Sequence, residues 1–283
     1  MNKVPLVIFT YCQHYHLTKL AILHARKHLE FSEIIVMYDD VFASIWKVLG
    51  HELRHDMLNE HDVHVAVCPF SSIKATLSIK NGWIRQQIVK LNLYQLFNHE
   101  GWIVLDGDAI LLSDLEPRKA CYVNINDDPS IPSFNFYNYL LDLNDDRVIY
   151  DARPIAFSAV PFRYISRKTL EDLADHVLRL HGAGISEVYD SFKLANRDRY
   201  FVLSEFDIIG SYENIIAGNS LPISPIDIRF AQKDEFIDLY EKSDLEMLVY
   251  ASYSGIDELP RIWYENKGIK INENIWKMLK RED

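Results

Sequence analysis

Two aspartates separated by one glycine, Asp106-Gly107-Asp108, follow the apolar run Trp102-Ile103-Val104-Leu105. A second apolar run, Ala109-Ile110-Leu111-Leu112, comes directly after them. Two carboxylates so spaced at the end of a buried strand can aim at one point once the chain turns. Hard oxygen ligands of this kind suit Mg2+ or Mn2+, which take one or two carboxylates plus phosphate oxygens. Such an ion neutralises charge that grows on a departing diphosphate. A glycine between the two acids lets the backbone come close to a ligand. Asp-Gly is also a common turn pair, but a hairpin tip is not usually flanked by apolar runs on both sides. The expected metal ligands are therefore Asp106 and Asp108, with Asp108 also at the reaction centre.

A competing motif is His51-Glu52-Leu53-Arg54-His55, an HExxH pattern with His61 beyond it. On a helix His51 and His55 share a face, and a zinc protease uses the glutamate between them as its base. Leu58 stands where the extended form of that motif has glycine. Glu52, Arg54, Asp56, Glu60 and Asp62 give the segment the look of a solvated helix face. The residues before it already read as strand–helix units. A zinc metalloprotease using HELRH is kept as an alternative function.

The elements that would position these groups are legible from periodicity. Val4 to Phe9 reads as a central strand, Leu17 to Leu29 as a helix, and Glu33 to Tyr38 as a second strand ending in Asp39-Asp40. Residues 42–58 read as a helix, Val63 to Val67 as a third strand, Trp83 to Phe97 as a helix, and Trp102 to Leu105 as a fourth strand. Strands alternating with helices at this pace predict an α/β fold, with a mostly parallel sheet flanked by helices. Ligands of such sheets bind beyond the carboxyl ends of the strands, where Tyr11, Asp39, Asp40, Asp106 and Asp108 all fall. Tyr11 is placed to stack on a base, His14 and His16 lie in the same loop, and Asp39 or Asp40 is placed near a ribose. His24 and His28, four apart, read as an exposed helix flank. Farther along, a strand is expected over Cys121 to Ile125, a turn at Asp127-Asp128-Pro129, and strand-like chain over Ile155 to Ile165. Ser166 is expected to cap a helix to about His181, and Ser204 one through Asn214. From Ile262 onward an aromatic-rich packing tail is expected. There is no internal repeat and no low-complexity segment.

Bulk properties narrow the classes. The 283 residues are 48% hydrophobic and 25% charged, an ordinary globular composition, and the net charge of −11 opposes a broad basic surface for nucleic acid. Cys12, Cys68 and Cys121 are three isolated thiols with no CxxC pair, so neither a disulfide framework nor a thiolate zinc site is implied. No apolar run reaches the roughly 20 residues of a membrane span, and the opening residues read as a strand rather than a signal peptide. A cytoplasmic protein without stable membrane insertion is expected; composition leaves its oligomeric state open.

Val104-Leu105-Asp106-Gly107-Asp108-Ala109-Ile110, with Ser113-Asp114-Leu115 after it, resembles the DxD segment of GT-A glycosyltransferases. It is most similar to glycosyltransferase family 8 and related bacterial surface-glycan transferases. The resemblance implies a single GT-A (Rossmann-like) domain, with a nucleotide-sugar-binding half over 1–125 and an irregular acceptor-binding half over 126–283. It implies transfer of a sugar from a nucleoside diphosphate sugar, a UDP-sugar, to a hydroxyl acceptor with Mn2+ or Mg2+ as cofactor. The acceptor would be a glycan or a hydroxymethylated DNA base of a phage. Gly82 to Leu91 is similar to the polar helix before the DxD strand in those enzymes. Arg85, Gln86 and Lys90 are then donor contacts, with Gln86 and Lys90 on one face and Ile84, Ile88 and Leu91 buried. Ala251 to Arg261 resembles the C-terminal metal-binding segment, with Ser252 where histidine is the third ligand, Glu258 in the lysine position, and Arg261 as a substitute for it. Leu203 to Tyr212 resembles an acidic acceptor motif, which makes Glu205 a candidate base; Ser204 with Asp207 also forms a helix capping pattern. A binding protein without catalysis is the alternative that the departures at Ser252 and Glu258 suggest.

Overall fold

A computed structural model of the chain describes residues 3–76, 79, 81–117, 120–124, 133–143, 149–150, 153–156, 160–196, 203–218, 223–242, 244–251 and 259–280. In chain order its first half holds strand β1 (Leu6–Thr10), helix α1 (Tyr15–His28), β2 (Ile34–Tyr38), α2 (Ala43–His61), β3 (Val65–Pro69), α3 (Gly82–Leu91), β4 (Gly101–Asp106), β5 (Ala109–Leu111), β6 (Ala120–Asn124) and α4 (Ser133–Leu141). The remainder holds β7 (Ile149–Tyr150), β8 (Arg153–Ala156), β9 (Phe162–Ser166), α5 (Arg167–His181), α6 (Ile185–Ala195), α7 (Glu205–Ser211), β10 (Ile223–Pro225), β11 (Ile228–Ala231), α8 (Lys233–Lys242), β12 (Met247–Tyr250), α9 (Arg261–Asn266) and α10 (Glu273–Lys280).

The chain forms two compact units. The first gathers Met1–Pro69, Ile103–Glu116 and Asp227–Asp283; the second gathers Phe70–Trp102 and Pro117–Ile226. The division expected near residue 125 is one of sequence, whereas these units interleave along the chain.

In the first unit parallel strands run in the order β3-β2-β1-β4. Leu6, Val7, Ile8 and Phe9 of β1 are fully buried, as are Ile103, Val104 and Leu105 of β4. Continuous apolar runs of this kind are the mark of parallel strands covered on both faces. Helix α1 packs on β1 and β5, and α2 on β3. The mixed α/β fold with a mostly parallel sheet and flanking helices is thus as expected. A second sheet in the order β11-β12-β5 joins β5 antiparallel to β12. Lys19 of α1 is completely buried; its Nζ donates to Asp56 Oδ2 at 2.7 Å and to the Lys270 carbonyl at 3.2 Å. That ammonium ties α1, α2 and the C-terminal segment together.

The second unit carries a sheet in the order β10-β6-β8-β7 together with α3 to α7. Ser166 caps α5 as predicted, its Oγ accepting from Thr169 N at 3.0 Å, and Gly182 closes the helix at φ 65°. A left-handed residue at this position is where glycine carries no steric cost.

Several expectations are corrected. The helix predicted over Trp83 to Phe97 stops at Leu91, where Asn92 turns its Nδ2 back onto the Ile88 carbonyl at 2.8 Å. The stretch Ile155 to Ile165 contributes to two separate strands, β8 and β9. The aromatic-rich tail expected from Ile262 packs through buried Trp263 and Tyr264 and is built of the helices α9 and α10. The helix after Ser204 ends at Ser211 and continues as a π-helix over Tyr212–Ile216. The turn predicted at Asp127-Asp128-Pro129 lies outside the described residues. Among the described residues no helix is long and apolar enough to cross a membrane.

Candidate functional site

The aspartate pair sits where the parallel sheet ends. Asp106 is the last residue of β4 and lies in register with Phe9 of β1. The Gly107 amide donates to the Phe9 carbonyl at 2.7 Å, which turns the chain across the end of β1. The Asp108 carbonyl then accepts from Tyr250 N at 2.9 Å, so the turn is anchored on its other side by β12. Both aspartates are half-buried, with backbone fixed from two strands.

Gly107 is also constrained by packing. A Cβ at this position would stand 2.8 Å from Thr10 Cβ and 2.9 Å from the Oγ1 atoms of Thr10 and Thr18. The glycine is required by packing against these two threonines, whose hydroxyls share a buried 2.6 Å hydrogen bond. Thr18 Oγ1 also donates to the His14 carbonyl at 2.8 Å. This chain of bonds sets the loop after β1. Neither threonine was singled out by sequence, because both lie far from Gly107 in the chain.

The loop residues gather at the same sheet end. Tyr11 precedes a short 3-10 helix over Cys12–His14, and its ring meets the His14 ring edge-on at 6.1 Å. His14 is buried, and its Nδ1 lies 3.8 Å from Asp108 Oδ2. Asp39 is buried beyond β2; its amide donates to the Thr10 carbonyl at 3.2 Å and its Oδ1 accepts from Val41 N at 3.3 Å. Asp40 opens a short 3-10 helix over Asp40–Phe42. Beside them Tyr38 stacks on Trp46 at 4.6 Å. Burial, and then the nearby Asp40 carboxylate, raise the Tyr38 hydroxyl above its usual pKa. Tyr11, Asp39, Asp40, Asp106 and Asp108 therefore share the carboxyl ends of adjacent strands, a concentration of negative charge suited to a cation.

Ser252 and Glu258 lie outside the described residues. Arg261 begins α9 and pairs on the surface with Glu265 at 2.8 Å and with Glu273. His24 is not an exposed flank: its Nδ1 meets the Leu111 carbonyl at 2.8 Å and its Nε2 the Tyr240 hydroxyl at 2.7 Å. Among the described residues no three His, Cys, Asp or Glu side chains group as a metal site.

Arg85, Gln86, Lys90 and Glu205 belong to the second unit. The basic residues of α3 were expected on a polar face, but Arg85, Gln86, Gln87 and Lys90 are all buried. Lys90 Nζ donates to Glu205 Oε1 at 2.5 Å and lies 4.7 Å from the Phe206 ring centroid. Burying so many polar groups is costly unless each is compensated, and the Lys90–Glu205 pair is one such compensation. Ser204 caps α7 by accepting from Asp207 N at 3.2 Å. A second buried pair, Arg163 with Glu213, includes a 3.0 Å bond from Thr169 Oγ1 to Glu213. Arg163 and Glu213 escaped sequence reading because they are far apart in the chain, on β9 and in the π-helix.

Residues 9–123 match the model of a family of unknown function, DUF6492. No curated protein sequence matches the chain. Among solved structures the chain is similar to the bifunctional glycosyltransferase WbbM in its apo form, at 13% identity and a TM-score of 0.49, over 99% of this chain and 52% of that one. It is similar to the galactosyltransferase LgtC in complex with donor and acceptor sugar analogues, at 9% identity and a TM-score of 0.49, over 98% of this chain and 100% of that one. It is also similar to the glycosyltransferase GlyE of Streptococcus pneumoniae TIGR4, at 11% identity and a TM-score of 0.46, over 100% of this chain and 63% of that one. The chain spans about half the length of WbbM. Likeness at this level carries no inference about activity.

Proposed function

We propose that the chain is a metal-dependent glycosyltransferase that moves a sugar from a nucleoside diphosphate sugar, a UDP-sugar, to a hydroxyl acceptor. The observation that carries the reading is the Asp106-Gly107-Asp108 turn, held across the carboxyl end of the parallel sheet by hydrogen bonds to Phe9 and Tyr250. The donor set fits Mn2+ or Mg2+: two half-buried carboxylates, which are hard oxygen ligands. Asp106 and Asp108 would hold the ion, with Ser252 or water filling a further position. Bound there, the ion would neutralise charge on the departing diphosphate.

The chain's own residues divide the remaining work. Tyr11 offers a ring face for the base, and Asp39 and Asp40 acceptors for ribose hydroxyls. Arg85 and Gln86, expected as donor contacts, are buried in the second unit. Lys90 Nζ donates to Glu205 Oε1 at 2.5 Å, so the ammonium is engaged by the residue expected as the base. Arg261 is assigned to the diphosphate only if it leaves Glu265 and Glu273. A glycan hydroxyl is the favoured acceptor over modified DNA, because the net charge of −11 repels a polyanion.

The test is donor hydrolysis and transfer with a panel of nucleotide sugars, with and without Mn2+. Asp108→Asn is expected to lower Mn2+-dependent turnover by about a thousandfold, the worth of several kcal/mol of charge stabilisation. Turnover retained in that variant would remove Asp108 from the reaction. Donor binding without any Mn2+-dependent hydrolysis would favour a binding protein instead.

A further inference from the structure

The HExxH segment is not used by the proposed function, and the structure assigns it a chemistry of its own. We propose that His51 and His55 form a surface site on α2 for a borderline transition-metal ion, Zn2+, Ni2+ or Cu2+, distinct from the aspartate pair and independent of it. The two imidazoles project from successive turns of one helix, about 6 Å apart along its axis. Their ring centroids are 6.5 Å apart and their planes within 16° of parallel. Both side chains are open to solvent, at 72% and 60% exposure. Rotation about exposed side-chain bonds can therefore bring the two Nε2 atoms onto one ion at about 2.0–2.1 Å each.

The neighbouring carboxylates favour that orientation. His51 Nδ1 lies 3.8 Å from Glu52 Oε1, and His55 Nδ1 lies 3.5 Å from Asp56 Oδ1. A ligating histidine commonly turns one ring nitrogen to a carboxylate and gives the other to the metal. Asp56 is itself fixed by the buried Lys19 ammonium at 2.7 Å, so the partner of His55 has a set position.

Among the described residues the third ligand that a zinc protease needs is not gathered here. Glu52 divides its carboxylate between His51, 3.8 Å from Oε1, and the Asn272 side chain, 3.4 Å from Oε2. A two-histidine site with water in its other positions binds metal without constructing a hydrolytic centre.

Imidazole selects Cu2+, Ni2+ and Zn2+, whereas carboxylate and water suit Mg2+ and Mn2+. Metal identity therefore separates this site from Asp106 and Asp108. The experiment is calorimetric titration of the full chain with Ni2+ in excess Mg2+, alongside Cu2+ electron paramagnetic resonance. One equivalent is expected to bind, with hyperfine coupling from two nitrogens. His51→Ala and His55→Ala should each weaken binding by at least about tenfold through loss of the chelate, while Asp108→Asn should leave it unchanged. Both histidines are exposed on a helix whose core contacts they do not make, so these variants keep the fold; matching far-ultraviolet circular dichroism checks this. Unchanged Ni2+ affinity in both histidine variants, or loss of the site in Asp108→Asn, overturns the assignment.

Discussion

Replacing Gly107 by alanine should destabilise the chain by about 1–3 kcal/mol, the usual cost of forcing an extra group into a packed interior. The new Cβ would meet Thr10 Cβ at 2.8 Å and the two threonine Oγ1 atoms at 2.9 Å. Thr10 Cβ is one bond from the β1 backbone and cannot swing aside. The hydroxyls are fixed by their mutual bond and by the His14 carbonyl. The turn itself must retreat, stretching the 2.7 Å bond from Gly107 N to the Phe9 carbonyl and displacing both aspartates. Urea denaturation measures the first effect, and Mn2+ affinity of the folded protein the second. Gly50→Ala is the control. Its Cβ meets only a methyl of half-buried Val67 at 3.1 Å, and alanine gains up to about 1 kcal/mol of helix propensity. That variant should stay within about 1 kcal/mol of wild type. A Gly107→Ala protein with wild-type stability and unchanged Mn2+ affinity would refute the packing argument.

Lys90→Met should cost about 3–5 kcal/mol by leaving the Glu205 carboxylate buried without its cation, and adding Glu205→Leu should recover most of it; a double variant no more stable than the single one would count against a simple pair. His24 has its pKa lowered, first by burial, against the opposing pull of the Leu111 carbonyl. The unfolded chain therefore takes up this proton before the folded one, so the contribution of His24 is fully present above about pH 6.5 and is lost as pH falls through that value toward the folded pKa. His24→Gln, whose amide can still reach Leu111, should flatten the fall in melting temperature between pH 7.5 and 5, as followed by calorimetry; identical slopes would contradict it.

Strands β1, β2 and β4 were legible because each is an apolar run buried along nearly its whole length, and a parallel sheet announces itself this way. The aspartates were legible for the same reason, since they interrupt such a run. Lys19 was not: a lysine four residues into an amphipathic helix reads as solvent-facing, and its partners, Asp56 and Lys270, come from α2 and the chain's last segment. The buried face of α3 was misjudged likewise, because periodicity separates polar from apolar but not buried polar from exposed polar. Helix α10 left a signal that was overlooked: Asn272 Oδ1 accepts from Asn274 N at 2.9 Å, and asparagine ahead of Glu273 is a helix start.

The hydrogen bond from Tyr250 to Asp108 has a consequence for synthesis. A ribosome releases β4 and β5 long before β12, and the whole stretch from Pro117 to Ile226 of the second unit emerges between them. The aspartate turn must wait, braced on one side only, until that later strand arrives. A nascent chain halted after Ile226 would therefore own both carboxylates without the backbone contact that fixes the second of them.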